Sequence, residues 1–210
     1  MMKGFFVTIE GPDGSGKTTQ IELLTRYLAA KDLDYIVTRE PGGTRIGNRI
    51  REILLEKDYT EMTAETETLL YAASRAQHVA EVILPALKKG KIVLCDRFID
   101  ASMAYQGMGR GIDIECIRKI NSIAVMGIMP HLTILLDIPP SIGLKRKKSH
   151  KEIDRIESEE LEFHERVREG YLYLAKKEPK RIKVLDGCRD KKVIYSEIVS
   201  LVENLLKGGV

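Results

Sequence analysis

Residues 11–18 of the chain read Gly11-Pro12-Asp13-Gly14-Ser15-Gly16-Lys17-Thr18, which matches the pattern GxxxxGK[ST] at every fixed position. The octapeptide follows the apolar run Phe5–Ile9 and leads into the helical period of Lys17–Ala30. Glycines allow such a loop to turn its amide hydrogens inward around phosphate oxygens, and the next helix adds the positive end of its dipole. The strand, loop and helix together predict a phosphate-binding P-loop that holds ATP through residues 11–18.

The last two residues of this loop have predicted roles of their own. We expect Lys17 to reach the β- and γ-phosphates and the Thr18 hydroxyl to coordinate Mg²⁺. A glycine-rich turn with a chance lysine is the alternative interpretation. The motif does not identify the reaction, but no guanine-reading Asn-Lys-x-Asp stretch occurs in the chain, so a GTPase is not indicated.

Short apolar runs alternate along the chain with longer segments of helical period, a pattern typical of a parallel sheet covered by helices. The predicted strands are Phe5–Ile9, Tyr35–Thr38, Ile92–Cys95, Thr133–Asp137 and Ile182–Leu185. The predicted helices are Lys17–Ala30, Ile46–Lys57, Ala64–Lys88, Ile114–Met126, Pro140–Lys147, Ser158–Lys177 and Lys191–Leu206. We therefore expect an α/β three-layer fold with a five-stranded parallel sheet.

Size and charge limit the remaining possibilities. A chain of 210 residues with 43% hydrophobic content and no linker or repeat predicts one domain over residues 1–210. The 34 basic residues nearly balance 31 acidic ones, so the net charge of +3 does not indicate a nucleic-acid-binding protein. No apolar run reaches the ~20 residues of a membrane span, and the N-terminus lacks the pattern of a signal peptide. We expect a cytoplasmic protein with no membrane partner.

A second motif, Asp96-Arg97, follows the apolar run Ile92–Cys95. Open α/β folds bind ligands at the carboxyl edge of the sheet, where this carboxylate emerges. Asp96 is the candidate second anchor for Mg²⁺, through coordinated water, and Arg97 can grip a phosphate or the transferring phosphoryl group with two N–H donors. A surface salt bridge at the end of a strand is the alternative for this pair.

The twelve residues Asp96-Arg97-Phe98-Ile99-Asp100-Ala101-Ser102-Met103-Ala104-Tyr105-Gln106-Gly107 resemble the signature of bacterial thymidylate kinases. Three further stretches are similar to the same family, and all occur in the family's order: 38–44 (Thr-Arg-Glu-Pro-Gly-Gly-Thr), 71–75 (Tyr-Ala-Ala-Ser-Arg) and 154–157 (Asp-Arg-Ile-Glu). The resemblance implies a P-loop nucleoside monophosphate kinase fold. It also implies Mg²⁺-dependent transfer of the γ-phosphate of ATP to dTMP, giving dTDP and ADP for dTTP synthesis, by a homodimer.

The resemblance also implies an acceptor site for dTMP. Tyr71 would stack on thymine, where family members often carry phenylalanine, and Arg75 would donate to a ring carbonyl. The other implied dTMP-binding residues serve the phosphate, the sugar and the pyrimidine: Arg39, Glu40, Arg51, Arg97, Ser102, Tyr105 and Gln106. Asp13 resembles the acidic P-loop position that orients the acceptor or the arginines. Read singly, Tyr71 fits an aromatic of the core, and Arg51 and Glu40 fit solvated charges.

The segment Lys145–Lys151 reads Lys-Arg-Lys-Lys-Ser-His-Lys and has no acid. The P-loop offers no arginine between its glycines, so we expect a basic lid over about residues 143–157 to neutralise the transferring phosphoryl group, as in the bacterial branch of the family. Arg146 matches a catalytic arginine of the relatives, whereas Lys148 and His150 replace arginines. Asp154 and Glu157 complete the predicted lid. A solvated helix end is the alternative.

Three questions remain open from the sequence. The function has two competing interpretations. One is a kinase for another nucleotide or for a nucleoside, and the other is a nucleotide-binding regulator that does not transfer phosphate. Val79–Leu87 is a candidate dimer interface because it is long and apolar. Backbone near residues 186–189 is the candidate adenine contact, by its position after the last predicted strand.

Overall fold

A computed structural model describes residues 4–148 and 153–208 of the chain. It contains a five-stranded sheet in the order β2-β3-β1-β4-β5, and every pair of neighbouring strands is parallel. The strands are β1 (Phe5–Glu10), β2 (Tyr35–Arg39), β3 (Ile92–Asp96), β4 (Leu132–Asp137) and β5 (Ile182–Asp186). All five predicted strands are confirmed, each with a shift of at most one residue at an end. Their carboxyl ends lie at one edge, which places Glu10, Asp96 and Asp137 together there.

Helices cover both faces of the sheet, as predicted. They are α1 (Lys17–Ala30), α2 (Arg45–Leu55), α3 (Ala64–His78), α4 (Leu84–Lys88), α5 (Ile99–Ser102), α6 (Ile114–Ala124), α7 (Pro140–Lys148), α8 (Leu161–Lys177) and α9 (Lys191–Leu206). Two π-helical segments join them, at Val79–Ile83 and Met103–Gly109. No helix in the described ranges is long and apolar enough to cross a bilayer.

The alternation of side chains along each strand divides the core into two layers. In β1, Phe6 packs into the layer of α4, α6 and α8, whereas Val7 and Ile9 pack into the layer of α1 and α9. Thr8, on the same face as Phe6, is fully buried and shares a hydrogen bond of 2.8 Å with the Thr133 hydroxyl of β4. The strands read as nearly continuous apolar runs because both faces are covered.

The predicted helix Ala64–Lys88 is not continuous. A π-helical segment interrupts the α-helix after His78, and Pro85 lies in the first turn of α4, which follows that segment directly. Val79, Ile83 and Leu87 are fully buried within this chain, whereas Ala80 and Glu81 are exposed. Most of the apolar surface of this segment therefore belongs to the core of the chain, and its role as a dimer interface stays a prediction.

Other helix boundaries also differ from the prediction. The helix expected at Ile46–Lys57 begins one residue earlier, at the residue after the N-cap Thr44, and ends at Leu55. The helix expected at Ser158–Lys177 begins at Leu161, because residues 154–158 form hydrogen-bonded turns. The helices of residues 99–109 were not predicted, since Gly107 and Gly109 weaken the helical period there.

Candidate active site

The P-loop joins β1 to α1 and has the backbone that its glycines predict. Gly11, Gly14 and Gly16 have φ of 138°, 73° and 94°, in a region that side chains disfavour. The Lys17 ammonium folds back and donates to the carbonyl oxygens of Gly11 and Pro12, at 3.1 Å each. The loop therefore has the curvature and the buried cation that phosphate binding requires.

Lys17 is 8% exposed, and its charge is poorly solvated. The pKa of Lys17 is lowered to about 8, chiefly by burial and then by the nearby Arg97 charge, while the carboxylates of Asp96, Asp13 and Glu10 act in the opposite direction. A phosphate anion in the loop would favour the protonated form of Lys17.

Helix α7, which begins the predicted lid, is in direct contact with the P-loop. A Cβ atom at Gly143 would lie 2.0 Å from the Asp13 carbonyl oxygen, and one at Gly14 would lie 2.3 Å from the Gly143 carbonyl oxygen. The two backbones approach this closely only because both positions are glycine. One turn further along α7, Arg146 Nη1 donates to the Gly14 carbonyl oxygen over 3.2 Å. The structure thus brings Arg146 to the P-loop, as the prediction of a lid requires.

The rest of the predicted lid lies partly outside the described residues. His150 and Lys151 fall in residues 149–152, and the side chain of Lys148 is not among those described. Asp154 and Glu157 follow this gap and form a tight turn, in which Asp154 Oδ1 accepts from the Glu157 amide over 2.9 Å. Both residues line the same cleft as the predicted acceptor site.

Asp96 and Arg97 lie at the carboxyl edge of the sheet, where β3 ends. Asp96 Oδ1 is buried and has no hydrogen-bond partner within the described part of the chain. The backbone of Arg97 is left-handed, with φ of 69°, and two contacts hold it: its amide donates to the Ile9 carbonyl, and the Phe98 amide donates to Glu10 Oε1 over 2.7 Å. A left-handed residue other than glycine costs ~1–2 kcal/mol, so the surrounding structure fixes the direction of this side chain.

The Arg97 guanidinium connects the P-loop with the interior of the cleft. Its Nη2 donates to Asp13 Oδ1 over 2.8 Å, and its Nη1 donates to the Tyr171 hydroxyl over 2.9 Å. The Tyr171 hydroxyl in turn donates to Glu10 Oε2 over 2.8 Å. On the other side, Tyr105 donates to Asp13 Oδ2 over 3.0 Å. Asp13 and Tyr171 thus fix the guanidinium beside the P-loop.

The predicted dTMP-binding residues converge on one cleft. All of them except Arg39 line it: Glu40, Arg51, Tyr71, Arg75, Arg97, Ser102, Tyr105 and Gln106. The cleft is also lined by Asp13 of the P-loop, by Phe98, and by Asp154 and Glu157 of the predicted lid. Arg39 is exposed at the end of β2. Burial of Arg51, and then the charge of Arg39, lower the pKa of Arg51. Arg51 donates to the Pro41 carbonyl over 3.0 Å. The cations at this end therefore repel one another unless an anion binds between them.

Arg75 is 1% exposed, and the protein itself uses most of its donors. Its Nε donates to Glu40 Oε2 over 2.8 Å, its Nη1 donates to Ser102 and Asn121, and its Nη2 donates to the Phe98 carbonyl over 3.0 Å. A guanidinium has five N–H donors, so one Nη2 hydrogen remains for a ligand. Arg75 is a rigid donor on the wall of the cleft.

Glu40 does not act as a solvated charge, and its two carboxylate oxygens are already engaged. Oε2 accepts from Arg75, while Oε1 lies 3.0 Å from His78 Nδ1, and His78 Nε2 lies 2.6 Å from the Thr38 hydroxyl. Glu40 therefore orients Arg75 in addition to lining the cleft. His78 could not be predicted in this role, because its partners are 38 and 40 residues away in the chain.

Several other contributors were not predicted. Glu10 and Tyr171 position Arg97, and Asn121 and His78 position Arg75 or its partner. For Glu10 a signal was available, because it directly precedes the P-loop at the end of β1. The others come from distant helices, and only the fold brings them together.

A divalent cation fits this arrangement. The Asp96 carboxylate has a buried oxygen without a partner, and Thr18 lies in the first turn of α1. The described residues contain no group of three or more His, Cys, Asp or Glu that could hold a metal by themselves. Mg²⁺ keeps several waters and is commonly held by one or two carboxylates plus substrate phosphates, so the chemistry of the Asp96 carboxylate, with the Thr18 hydroxyl, fits such an ion.

A P-loop facing a second, arginine-lined cleft across Arg97 is the arrangement of a P-loop nucleoside monophosphate kinase. Comparison with known proteins defines the family. The thymidylate kinase family model matches residues 9–198. The chain is 50% identical to the thymidylate kinase of Clostridium novyi over 94% of this chain and 98% of the relative. It is 51% identical to that of Exiguobacterium sp. over 100% of this chain and 99% of the relative.

A solved structure agrees with these sequence relationships. The crystal structure of thymidylate kinase from Ehrlichia chaffeensis is similar with a TM-score of 0.77 and 34% identity, over 95% of this chain and 98% of that one. The chain belongs to the thymidylate kinase family, whose reaction is phosphoryl transfer from ATP to dTMP.

Proposed function

We propose that the protein transfers the γ-phosphate of ATP to dTMP, with the donor in the P-loop, the acceptor in the cleft and Arg97 between them. The observation that carries this assignment is the position of Arg97. It lines the cleft and also donates to Asp13 of the P-loop over 2.8 Å. A guanidinium that touches both sites can neutralise charge on a phosphoryl group as it passes from one to the other.

On the donor side, the amides of residues 11–18 hold the phosphates and Lys17 neutralises the β- and γ-oxygens. Mg²⁺ would supply charge neutralisation between the phosphates, held by Thr18 and, through water, by Asp96. Asp13 orients Arg97 and Tyr105, to which it is hydrogen-bonded. Arg146 acts from the lid side, since it already contacts the P-loop carbonyl of Gly14.

On the acceptor side, the phosphate of dTMP lies among the cations Arg39, Arg51 and Arg97. Tyr71 stacks on thymine, and the remaining Nη2 hydrogen of Arg75 is donated to a ring carbonyl, because the other donors of this guanidinium are used. Tyr105 lies where it crowds a 2′-hydroxyl, and Ser102 and Gln106 line the pyrimidine side. The Asp154–Glu157 turn closes the mouth of the cleft.

The assembly and location belong to the same proposal. A single domain over residues 1–210 works in the cytoplasm as a homodimer, without a membrane or nucleic-acid partner. Exposed apolar side chains on the adjoining helices α2, α3 and α6 support a dimer face, among them Ile53, Leu69 and Ile123. Sedimentation of the wild-type protein and of Leu69→Lys tests this, because a buried lysine at the interface should favour the monomer.

A coupled assay of ADP release tests the reaction with dTMP, dUMP, thymidine and no acceptor in parallel. We expect turnover with dTMP, far less with dUMP and thymidine, and little ATP hydrolysis without an acceptor. Turnover with thymidine alone would indicate a nucleoside kinase, and nucleotide binding without turnover would indicate a regulator.

Two variants test the donor site in the same assay. Lys17→Ala and Asp96→Ala should each nearly abolish transfer while circular dichroism and Tm show a folded protein, because both side chains act on phosphate or metal charge. A folded Asp96→Ala protein with wild-type turnover would remove Asp96 from the Mg²⁺ site.

A further inference from the structure

Glu67 lies on α3, four residues before Tyr71, and therefore shares its helix face. The side chain is 1% exposed, and its carboxylate accepts hydrogen bonds from three side chains. Gln106 Nε2 donates to Oε1 over 2.9 Å, Arg110 donates from Nε and Nη2 over 3.2 and 3.0 Å, and Arg155 Nη2 donates to Oε2 over 2.7 Å. Glu67 thus joins the pyrimidine side of the cleft to the last part of the predicted lid.

Arg155 connects this carboxylate to a turn whose neighbouring residues line the cleft. It lies between Asp154 and the rest of the turn that ends at Glu157, and its Nε and backbone amide donate to the carbonyls of Leu54 and Leu55 over 3.0 and 3.3 Å. The turn is internally rigid, since Asp154 Oδ1 accepts from the Glu157 amide. Fixing the Arg155 side chain therefore fixes the orientation of the whole turn against the acceptor pocket.

The cluster requires its negative charge. Burial works to raise the pKa of Glu67, but the hydrogen bonds and charge of Arg110, with those of Gln106 and Arg155, outweigh it and lower the pKa. Arg110 Nη1 donates to Glu159 Oε1 over 2.6 Å. The charges of Glu67 and Glu159 therefore balance those of Arg110 and Arg155. Without the Glu67 charge, Arg155 would be a largely buried cation that lacks its partner, and it would reorient toward water.

We propose that Glu67 is a positioning residue that sets the affinity for the nucleoside monophosphate acceptor, by holding Gln106 on one side of the cleft and, through Arg155, the Asp154–Glu157 turn on the other. The proposal rests on the proposed function, since it assumes that the cleft binds dTMP. Glu67 contacts neither the P-loop nor α1 within the described residues, so the ATP site should be insensitive to it.

Glu67→Gln tests this with little change of shape. We expect the Kd for dTMP, measured by calorimetry without ATP, to rise about tenfold, within the 5- to 150-fold usual for coupled sites. The Kd for ATP should change less than twofold. Arg155→Met should have a similar effect. The double variant should have the same Kd for dTMP as the single variant that binds dTMP more weakly, because the two side chains act as one unit. Independent side chains would instead give the product of the two fold-changes in Kd.

The control is Glu52→Gln, which removes the charge from an exposed pair with Arg49 and should leave both constants unchanged. A wild-type Kd for dTMP in folded Glu67→Gln protein, or equal losses for ATP and dTMP, would overturn the proposal. If Glu67→Gln does not fold, Arg155→Lys decides, since a lysine cannot reach Leu54 and Glu67 together. Failure of the wild-type protein to bind dTMP would instead refute the proposed function.

Discussion

Arg97 donates to Asp13 across 2.8 Å while its own backbone is left-handed, with φ of 69°. This pair joins a strained residue at the end of β3 to the P-loop, and the strain is maintained by Glu10 and Tyr171. Arg97 therefore combines a strained backbone, which lowers the free energy of unfolding, with the predicted catalytic charge, as is common at active sites.

Replacing Arg97 should separate these two effects. Arg97→Ala and Arg97→Gly should both lose kcat by an amount approaching the 10³–10⁵ attributed to a catalytic arginine. Arg97→Gly should nevertheless have a free energy of unfolding higher than that of Arg97→Ala by on the order of 1 kcal/mol, and therefore a higher Tm, because only glycine adopts this φ freely. Steady-state kinetics and thermal unfolding of both variants provide the measurement. A less stable glycine variant would show that the backbone at residue 97 is not strained.

Glu10 should make stability depend on pH. Burial, and then the charge of Asp100, raises the pKa of Glu10 from 4.5 to about 8, against the opposing effects of Arg97, Tyr171 and the Phe98 amide. Between these values the folded protein keeps a proton that the unfolded chain releases, so the free energy of unfolding should decrease as pH rises from about 4.5 to about 8.

Glu10→Gln cannot titrate and isolates this effect. Urea unfolding of both proteins at pH 5, 6, 7 and 8 should give a shallower decline for Glu10→Gln, since other titrating groups are common to the two. Parallel curves would mean that Glu10 has the same pKa in both states.

Much of the fold was predictable, because strands buried on both faces read as short apolar runs and the P-loop has a fixed pattern. The predicted cleft residues also came together, except Arg39 at the rim. The π-helical segments were not predictable, since a π turn at Val79–Ile83 has the same apolar composition as an α-helix. Glu67 illustrates the remaining limit: its partner Arg155 lies 88 residues away, and only tertiary packing joins them.

Arg75 should affect only the acceptor. Arg75→Lys removes the planar fork that contacts Glu40, Ser102 and Phe98 and leaves a single point charge, so the KM for dTMP should rise about 10- to 100-fold with a change in the KM for ATP below about twofold. Arg181→Lys is the matched control. It removes another part-buried guanidinium, paired with Asp100 away from the cleft, and should reduce Tm without this selective change. Equal increases in both KM values for Arg75→Lys would place the base pocket elsewhere.

The basic residues of the predicted lid are expected to share one task, the neutralisation of the transferring phosphoryl group. Arg146 reaches the Gly14 carbonyl over 3.2 Å, and the neighbouring sequence adds Lys145, Lys147, Lys148 and Lys151. If these cations share the neutralisation of the phosphoryl group, Arg146→Ala alone should lower kcat by less than the 10³–10⁵ of a sole catalytic arginine. Neutralising all five together should lower kcat much further with little change in the Kd for dTMP, since Arg146 lies against the P-loop and neither Lys145 nor Arg146, the two with described side chains, lines the acceptor cleft. Neutralising the exposed lysines Lys176 and Lys177 at the end of α8 controls for net charge and should leave kcat unchanged. Wild-type kcat in the fully neutralised lid would leave Arg97 as the cation that carries the transfer.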